Sequence, residues 1–112
     1  MLPKKNRLTH RKDFDNTFKD GKGAFSDTLG IKFIKNNLEN SRFGIVVSNK
    51  ISKKAVTRNK IKRQIREAIH KNITEIKKGL DIMIICRPGI DKKEFQEIEQ
   101  IIVQIFKKIK LI

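Results

Sequence analysis

The sequence predicts an α+β fold, a single-domain α-β-β-α-β-α sandwich of helices on a sheet, and three observations point to it. Apolar residues alternate along Leu29-Ile31-Phe33 and crowd together in Ile82-Met83-Ile84-Ile85, which marks strands. They return every three to four residues from Ile61 to Ile69 and from Phe95 to Ile109, which marks helices buried along one stripe. The 112 residues suffice for one hydrophobic core, whereas two halves would each be too small to stand alone. The domain is expected to span 1–112, with 1–8 as a basic N-terminal arm.

The first helix is expected over Thr9 to Asp20, where Phe14 and Phe18 share a face, Thr9 can cap the start and Gly21 suits the stop. Asp20-Gly21-Lys22-Gly23 reads as a turn. Two strands follow, Thr28 to Lys35 and Arg42 to Ser48, which Asn36-Asn37-Leu38-Glu39-Asn40 would join as a hairpin. A second helix, about Thr57 to Lys71, puts Ile61, Ile65, Ala68 and Ile69 on one stripe. Asp81 to Arg87 is the third strand, ended by Pro88-Gly89. Asp91 and Glu94 then form a capping box for a last helix, whose stripe is Phe95, Ile98, Ile102, Ile105, Phe106 and Ile109.

With 27 Lys+Arg against 12 Asp+Glu, the net charge of +15 creates self-repulsion that a polyanion relieves, so nucleic acid is the expected partner. No apolar run approaches the ~18 residues of a membrane-spanning helix, and no membrane partner is expected. The segment Met1 to Arg7 is basic but lacks a following apolar block; it is not a secretory signal, and a cytoplasmic location is expected. Cys86, the one cysteine, cannot form an internal disulfide and reads as a core residue. His10 and His70 lack metal-ligand spacing, and there are no paired carboxylates, Cys/His patterns or Gly-rich phosphate loop to suggest a self-contained catalytic or metal site.

The functional signal lies in one stretch. Lys50, Lys53, Lys54, Arg58, Lys60, Lys62, Arg63 and Arg66 are uninterrupted by any acid before Glu67. On the second helix Asn59, Lys62, Arg63 and Arg66 share a face rotated away from the isoleucine stripe. Arg offers a planar fork to phosphate, Lys a mobile point charge, and Asn59 both donates and accepts toward bases or 2′-hydroxyls, a mixture suited to folded RNA. The plainer alternative is a solvated basic face; general Lys enrichment does not, however, account for Arg58, Asn59, Arg63 and Arg66. A DNA-binding helix-turn-helix is disfavoured because β segments flank Thr57 and no short turn links it to a preceding helix, so DNA is not an expected partner.

The run Lys53-Lys54-Ala55-Val56-Thr57-Arg58-Asn59-Lys60-Ile61-Lys62-Arg63-Gln64-Ile65-Arg66-Glu67 resembles the signature of the bacterial ribonuclease P proteins, built around Arg-Asn-Arg, then Ile-Lys-Arg and a further Arg. Lys60 departs from it, keeping charge without the fork. Weaker points of similarity are Asn6-Arg7-Leu8, the Phe14/Phe18 spacing, Phe43-Gly44 and Arg87-Pro88. The resemblance implies a ribosomal protein S5 domain 2-like fold with a left-handed βαβ crossover, where general statistics favour the right-handed one. It also implies a complex with ribonuclease P RNA, in which Mg²⁺ held mainly by that RNA hydrolyses one phosphodiester of precursor tRNA to release the 5′ leader.

Two RNA partners call for two residue sets. The basic helix and its preceding loop, namely Lys50, Lys53, Lys54, Arg58, Asn59, Lys60, Lys62, Arg63 and Arg66, are expected to meet the closely spaced phosphates of the catalytic RNA. Phe14, Phe18, Lys32, Phe33 and Arg87 are expected at the leader, since unpaired bases stack on aromatic or guanidinium planes. Lys32 and Phe33 are neighbours on a strand, so only one of them can face that site. The competing readings are a ribosomal or general RNA-structuring protein, and an autonomous nuclease that would cleave precursor tRNA without an RNA subunit.

Overall fold

The computed structural model describes residues 2–112; Met1, the first residue of the expected arm, lies outside the described residues. Its elements in order are α1 (Arg11–Asp20), β1 (Lys22–Phe25), β2 (Leu29–Lys35), β3 (Arg42–Val46), α2 (Ala55–Asn72), β4 (Leu80–Cys86) and α3 (Phe95–Lys108), with 3₁₀ turns at Lys4–Asn6 and Ile90–Lys92. The strands form one sheet in the order β1-β2-β4-β3; β1–β2 and β2–β4 are antiparallel, and β3–β4 are parallel across the α2 connection.

β4 is the most apolar strand and takes an interior position, buried on both faces except at Ile85. On one face Leu29 and Ile31 of β2, Phe43 of β3, and Ile82, Ile84 and Cys86 of β4 meet the stripes of α2 (Ile61, Ile65, Ala68, Ile69) and α3 (Ile98, Ile102, Ile105, Phe106). This is the core. Cys86 belongs to it, and burial pushes its thiol pKa up to about 12 despite the nearby Lys62 ammonium, so the sulfur stays protonated and unreactive.

The opposite face is organised in rows across the strands. At one end Ile34, Asp81 and Arg42 are in register. The next row is Gly23, Lys32, Met83 and Gly44, and the last is Phe25, Gly30, Ile85 and Val46. α1 packs on β2 and β4, and the Phe14 ring sits so close over Gly44 that a Cβ there would have no room. The first row anchors the helix: Asp81, buried, accepts from Arg42 Nε (2.8 Å) and Nη2 (2.7 Å) and from Asn36 Nδ2 (3.0 Å), while Arg42 Nη2 also lies 3.3 Å from the Asp13 carboxylate of α1. The Asp81 hydrogen bonds raise the Arg42 pKa, keeping the guanidinium charged where it is partly desolvated.

Five expectations are corrected. The Asp20–Gly23 turn conceals an additional strand, β1, which exists by backbone pairing along the edge of β2 and has no apolar alternation of its own. β2 and β3 do not form a hairpin: the more apolar β4 inserts between them, and the Asn36–Ser41 link spans two inter-strand spacings, about 9.6 Å. α1 starts at Arg11 with His10, not Thr9, at its cap. α3 opens at Glu94, whose N–H donates to the Glu97 carboxylate (3.2 Å), because the 3₁₀ turn Ile90–Lys92 absorbs Asp91. Residues 2–8, expected as an arm, are packed: Leu2 and Leu8 are buried, Arg7 bridges to Phe43, and Leu8 N–H donates to the Phe43 carbonyl at 2.9 Å.

Two stability experiments follow. Asp81→Ala leaves Arg42 partly buried without its carboxylate and should cost about 3 kcal/mol in urea denaturation followed by circular dichroism, whereas Arg42→Lys, which keeps the charge but not the fork, should cost about 1 kcal/mol. A wild-type-like midpoint for Asp81→Ala would show that the Asp81 carboxylate does not anchor this row. At the end of α3 a Schellman turn (Leu111 N to Phe106 O, 2.8 Å; Lys110 N to Lys107 O, 3.1 Å) forces Lys110 to φ 61°. Lys110→Gly should relieve that conformation and raise stability by up to about 1 kcal/mol.

Candidate nucleic-acid interface

β3 delivers the chain through buried Val47 into the turn Ser48–Lys54 and then α2. Serine hydroxyls shape this turn: Ser48 Oγ accepts from Lys50 N–H (3.3 Å) and Ser52 Oγ from Lys54 N–H (3.2 Å). Arg58 Nη1 reaches back to the Ser52 carbonyl at 2.8 Å, tying the first turn of α2 to the loop. Lys50, Lys53, Lys54, Asn59, Lys60 and Arg63 are exposed; Arg58, Lys62 and Arg66 are half-buried beside the isoleucine stripe.

Among the described residues the ion pairs use Arg42, Lys71 and Lys93, so none of the eight clustered cations is neutralised by a carboxylate. The first turn of α2 has no acidic residue either, which adds the positive end of the helix dipole to the same surface. The fold thus carries these residues on one continuous turn-and-helix segment, six of the nine exposed and three half-buried.

The second set divides. Phe18, 54% exposed, projects from α1 beside Lys32, whose Nζ stands 4.4 Å from its ring centroid and donates to the Phe18 carbonyl at 2.6 Å. Phe14 is half-buried over Gly44 in the same row. Phe33 is on the opposite face of β2, packed against the core, and lines a concavity with Lys77, Leu80 and Ile109 at the other end of the sheet. It is thereby separated from the other four by strand parity.

Arg87 is just past β4, exposed, its N–H bound to Thr28 O (2.8 Å) and Nη1 to Ser26 O (3.2 Å), with the guanidinium 5.0 Å from the Phe25 ring centroid. Phe25 was missed in the sequence because it lies in the unrecognised strand β1. Its ring covers Gly30, whose missing Cβ makes the approach possible.

The row Phe25, Gly30, Ile85, Val46 continues past α1 with no helix over it and leads, at its β3 end, to the Ser48–Lys54 turn. It makes an apolar floor about 14 Å across, walled by α1 and fringed by Lys32 and Arg87. Such a surface accepts flat unpaired groups and repels none of their phosphates. Among the described residues no three or more His, Cys, Asp or Glu side chains are grouped to hold a metal, and no helix is long and apolar enough to cross a membrane.

A family model described as Ribonuclease P matches residues 2–110. The ribonuclease P protein component of Syntrophomonas wolfei is 37% identical over 96% of this chain and 90% of its own length, and that of Thermotoga maritima 41% identical over 86% and 80%. Among solved structures, the Staphylococcus aureus RNase P protein superposes with a TM-score of 0.87 at 29% identity, covering 95% of this chain and 96% of that one. The Thermotoga maritima RNase P protein gives 0.83 at 36% identity, covering 91% and 96%. The signature on α2, the mixed four-stranded sheet and these matches over nearly the whole chain together establish that it belongs to the bacterial ribonuclease P proteins, the protein components of an endoribonuclease.

Proposed function

We propose that this protein binds ribonuclease P RNA through the Ser48–Lys54 turn and α2, and holds the 5′ leader of precursor tRNA across the groove between α1 and the open row of the sheet. The observation that carries the reading is the presence of two chemically different surfaces that adjoin at one turn: unpaired cations, and an apolar aromatic floor with a cationic fringe. The first suits the dense phosphates of a folded RNA, the second a single strand with its bases splayed. Phe14, Phe18, Lys32 and Arg87 serve the leader; Phe33 serves the core. The β3-α2-β4 crossover is taken as left-handed, as the family resemblance implies.

The chemical step belongs to the RNA. Bound to that RNA, Mg²⁺ would supply Lewis-acid chemistry at the scissile phosphate; among the described residues of this protein no three or more His, Cys, Asp or Glu side chains are grouped to hold a metal. What its residues supply is position: α2 fixes the protein on the catalytic RNA, and the groove fixes the leader so that the adjoining phosphodiester is presented to the RNA site. The direct test is cleavage of precursor tRNA at low Mg²⁺ by ribonuclease P RNA with and without the protein. Stimulation is expected with both components and no cleavage with protein alone; an active RNA that the protein fails to stimulate would defeat the reading.

Arg58→Ala combined with Arg63→Ala should weaken binding to that RNA and lower the salt slope by about two, one for each lost phosphate contact, with native circular dichroism. Lys60→Arg supplies a fork at an exposed position and should bind equally or more tightly. Phe18→Ala should reduce holoenzyme affinity for precursor tRNA by roughly ten- to a hundredfold while leaving mature tRNA unaffected. Equal losses for both tRNAs would place Phe18 outside the leader site.

A further inference from the structure

On the same sheet face as the Phe18–Lys32 pair there is a second aromatic–cation pair, Phe25 with Arg87. Lys32 and Gly30 are two residues apart on β2, and Gly30 is the residue on which the Phe25 ring rests. The strand positions beneath the two pairs are therefore one strand repeat apart, about 6.8 Å, on the order of one extended nucleotide step. The likeness of the two pairs is chemical as well as geometric: in each, a cation lies against a phenyl ring that keeps much of its surface in solvent, 54% for Phe18 and 43% for Phe25.

Covering Gly30 does not by itself account for Phe25. A smaller aliphatic side chain would close the same gap, and the ring remains 43% exposed at an edge strand. Nor is Arg87 committed elsewhere; its side-chain hydrogen bond goes to a backbone carbonyl, Ser26 O at 3.2 Å, and among the described residues it has no carboxylate partner. An uncompensated guanidinium beside an exposed ring at the end of an apolar floor fits a nucleobase with its phosphate close by.

We infer that Phe25 and Arg87 form a second base-stacking subsite, which takes the leader nucleotide next to the one at Phe18 and favours a purine there. The inference rests on the proposed leader groove and extends it to the β1 edge. Purines present the larger π surface, and preferences at stacking sites follow stacking strength rather than hydrogen-bond readout. Arg87 holds the ring and approaches the phosphate; the ring supplies the platform.

The test uses the holoenzyme with precursor tRNAs whose leaders lengthen one nucleotide at a time, with purine or pyrimidine at each added position. For the wild type, affinity should rise at two successive steps, the second showing the purine preference. Phe25→Leu, which keeps an apolar cover on Gly30, should abolish the second rise and its preference, a loss of about tenfold. Arg87→Lys should diminish both, while Phe18→Ala lowers affinity for every leader that reaches the first step. In parallel, 2-aminopurine placed at successive leader positions of the unaltered holoenzyme should be quenched at two adjacent positions.

If Phe25→Leu retains both rises, or if one position alone is quenched, the subsite does not exist although the leader groove stands. If the wild-type holoenzyme binds precursor and mature tRNA equally, the groove itself is refuted and the subsite with it. Should Phe25→Leu fail to fold, the quenching experiment decides between the same outcomes.

Discussion

Asp81 is the one buried carboxylate among the described residues, and the arrangement of the functional face depends on it. Placed at the start of the central strand, it binds Arg42 of the neighbouring strand through both oxygens and Asn36 at the end of the other neighbour. Arg42 passes the contact on to Asp13, so α1 is pinned at one end of the sheet and leaves the other end uncovered. Phe14 can then settle onto Gly44 while Phe18 stands out beside Lys32. A buried ion pair adds little net stability over a well-packed apolar substitute, but its directional bonds select one placement of the helix. That placement defines the wall of the groove.

The distribution of charge reinforces this division. With 27 basic and 12 acidic side chains the molecule has a surplus that no internal pairing can absorb, and the acids that form ion pairs among the described residues do so outside the Lys50–Arg66 cluster. Glu99 meets Lys71 and Glu97 meets Lys93 around α3, and Asp81 and Asp13 share Arg42. The cations between Lys50 and Arg66 are left to repel one another. Cohesion therefore comes from the isoleucine-rich core between sheet and helices, and in the proposed complex the repulsion would be relieved as phosphates replace small counterions around the patch.

Features set by local periodicity were legible in the sequence. α2 and α3 declare which side they bury through spacing alone, β4 declares itself as an interior strand by its unbroken apolar run, and the basic face of α2 follows from its helical periodicity. Apart from the exact caps of α1 and α3, what failed depends on a distant partner. β1 has only Lys22, Gly23, Ala24 and Phe25, with no pattern until β2 lies beside it, and Phe25 was lost with the strand. The hairpin expected between β2 and β3 was excluded by β4, a competitor encoded more than thirty residues later. Strand parity separated Lys32 from Phe33 in advance, but deciding which of them faces the groove required knowing on which side α1 packs.

A polyanionic catalyst acting on a polyanionic substrate gains little from positive charge alone, since a diffuse cation cloud would draw both together in any orientation. Geometry is what a folded protein adds. Here the last residue of the groove floor, Val46, is separated from α2 by one buried residue and a seven-residue turn, and that turn is braced by Ser48, Ser52 and the Arg58–Ser52 hydrogen bond. Its freedom is small, so the orientation of α2 dictates the orientation of the floor. In the proposed complex, docking through α2 would carry the groove with it as one body, and a strand lying in the groove would inherit a fixed direction relative to the docked RNA.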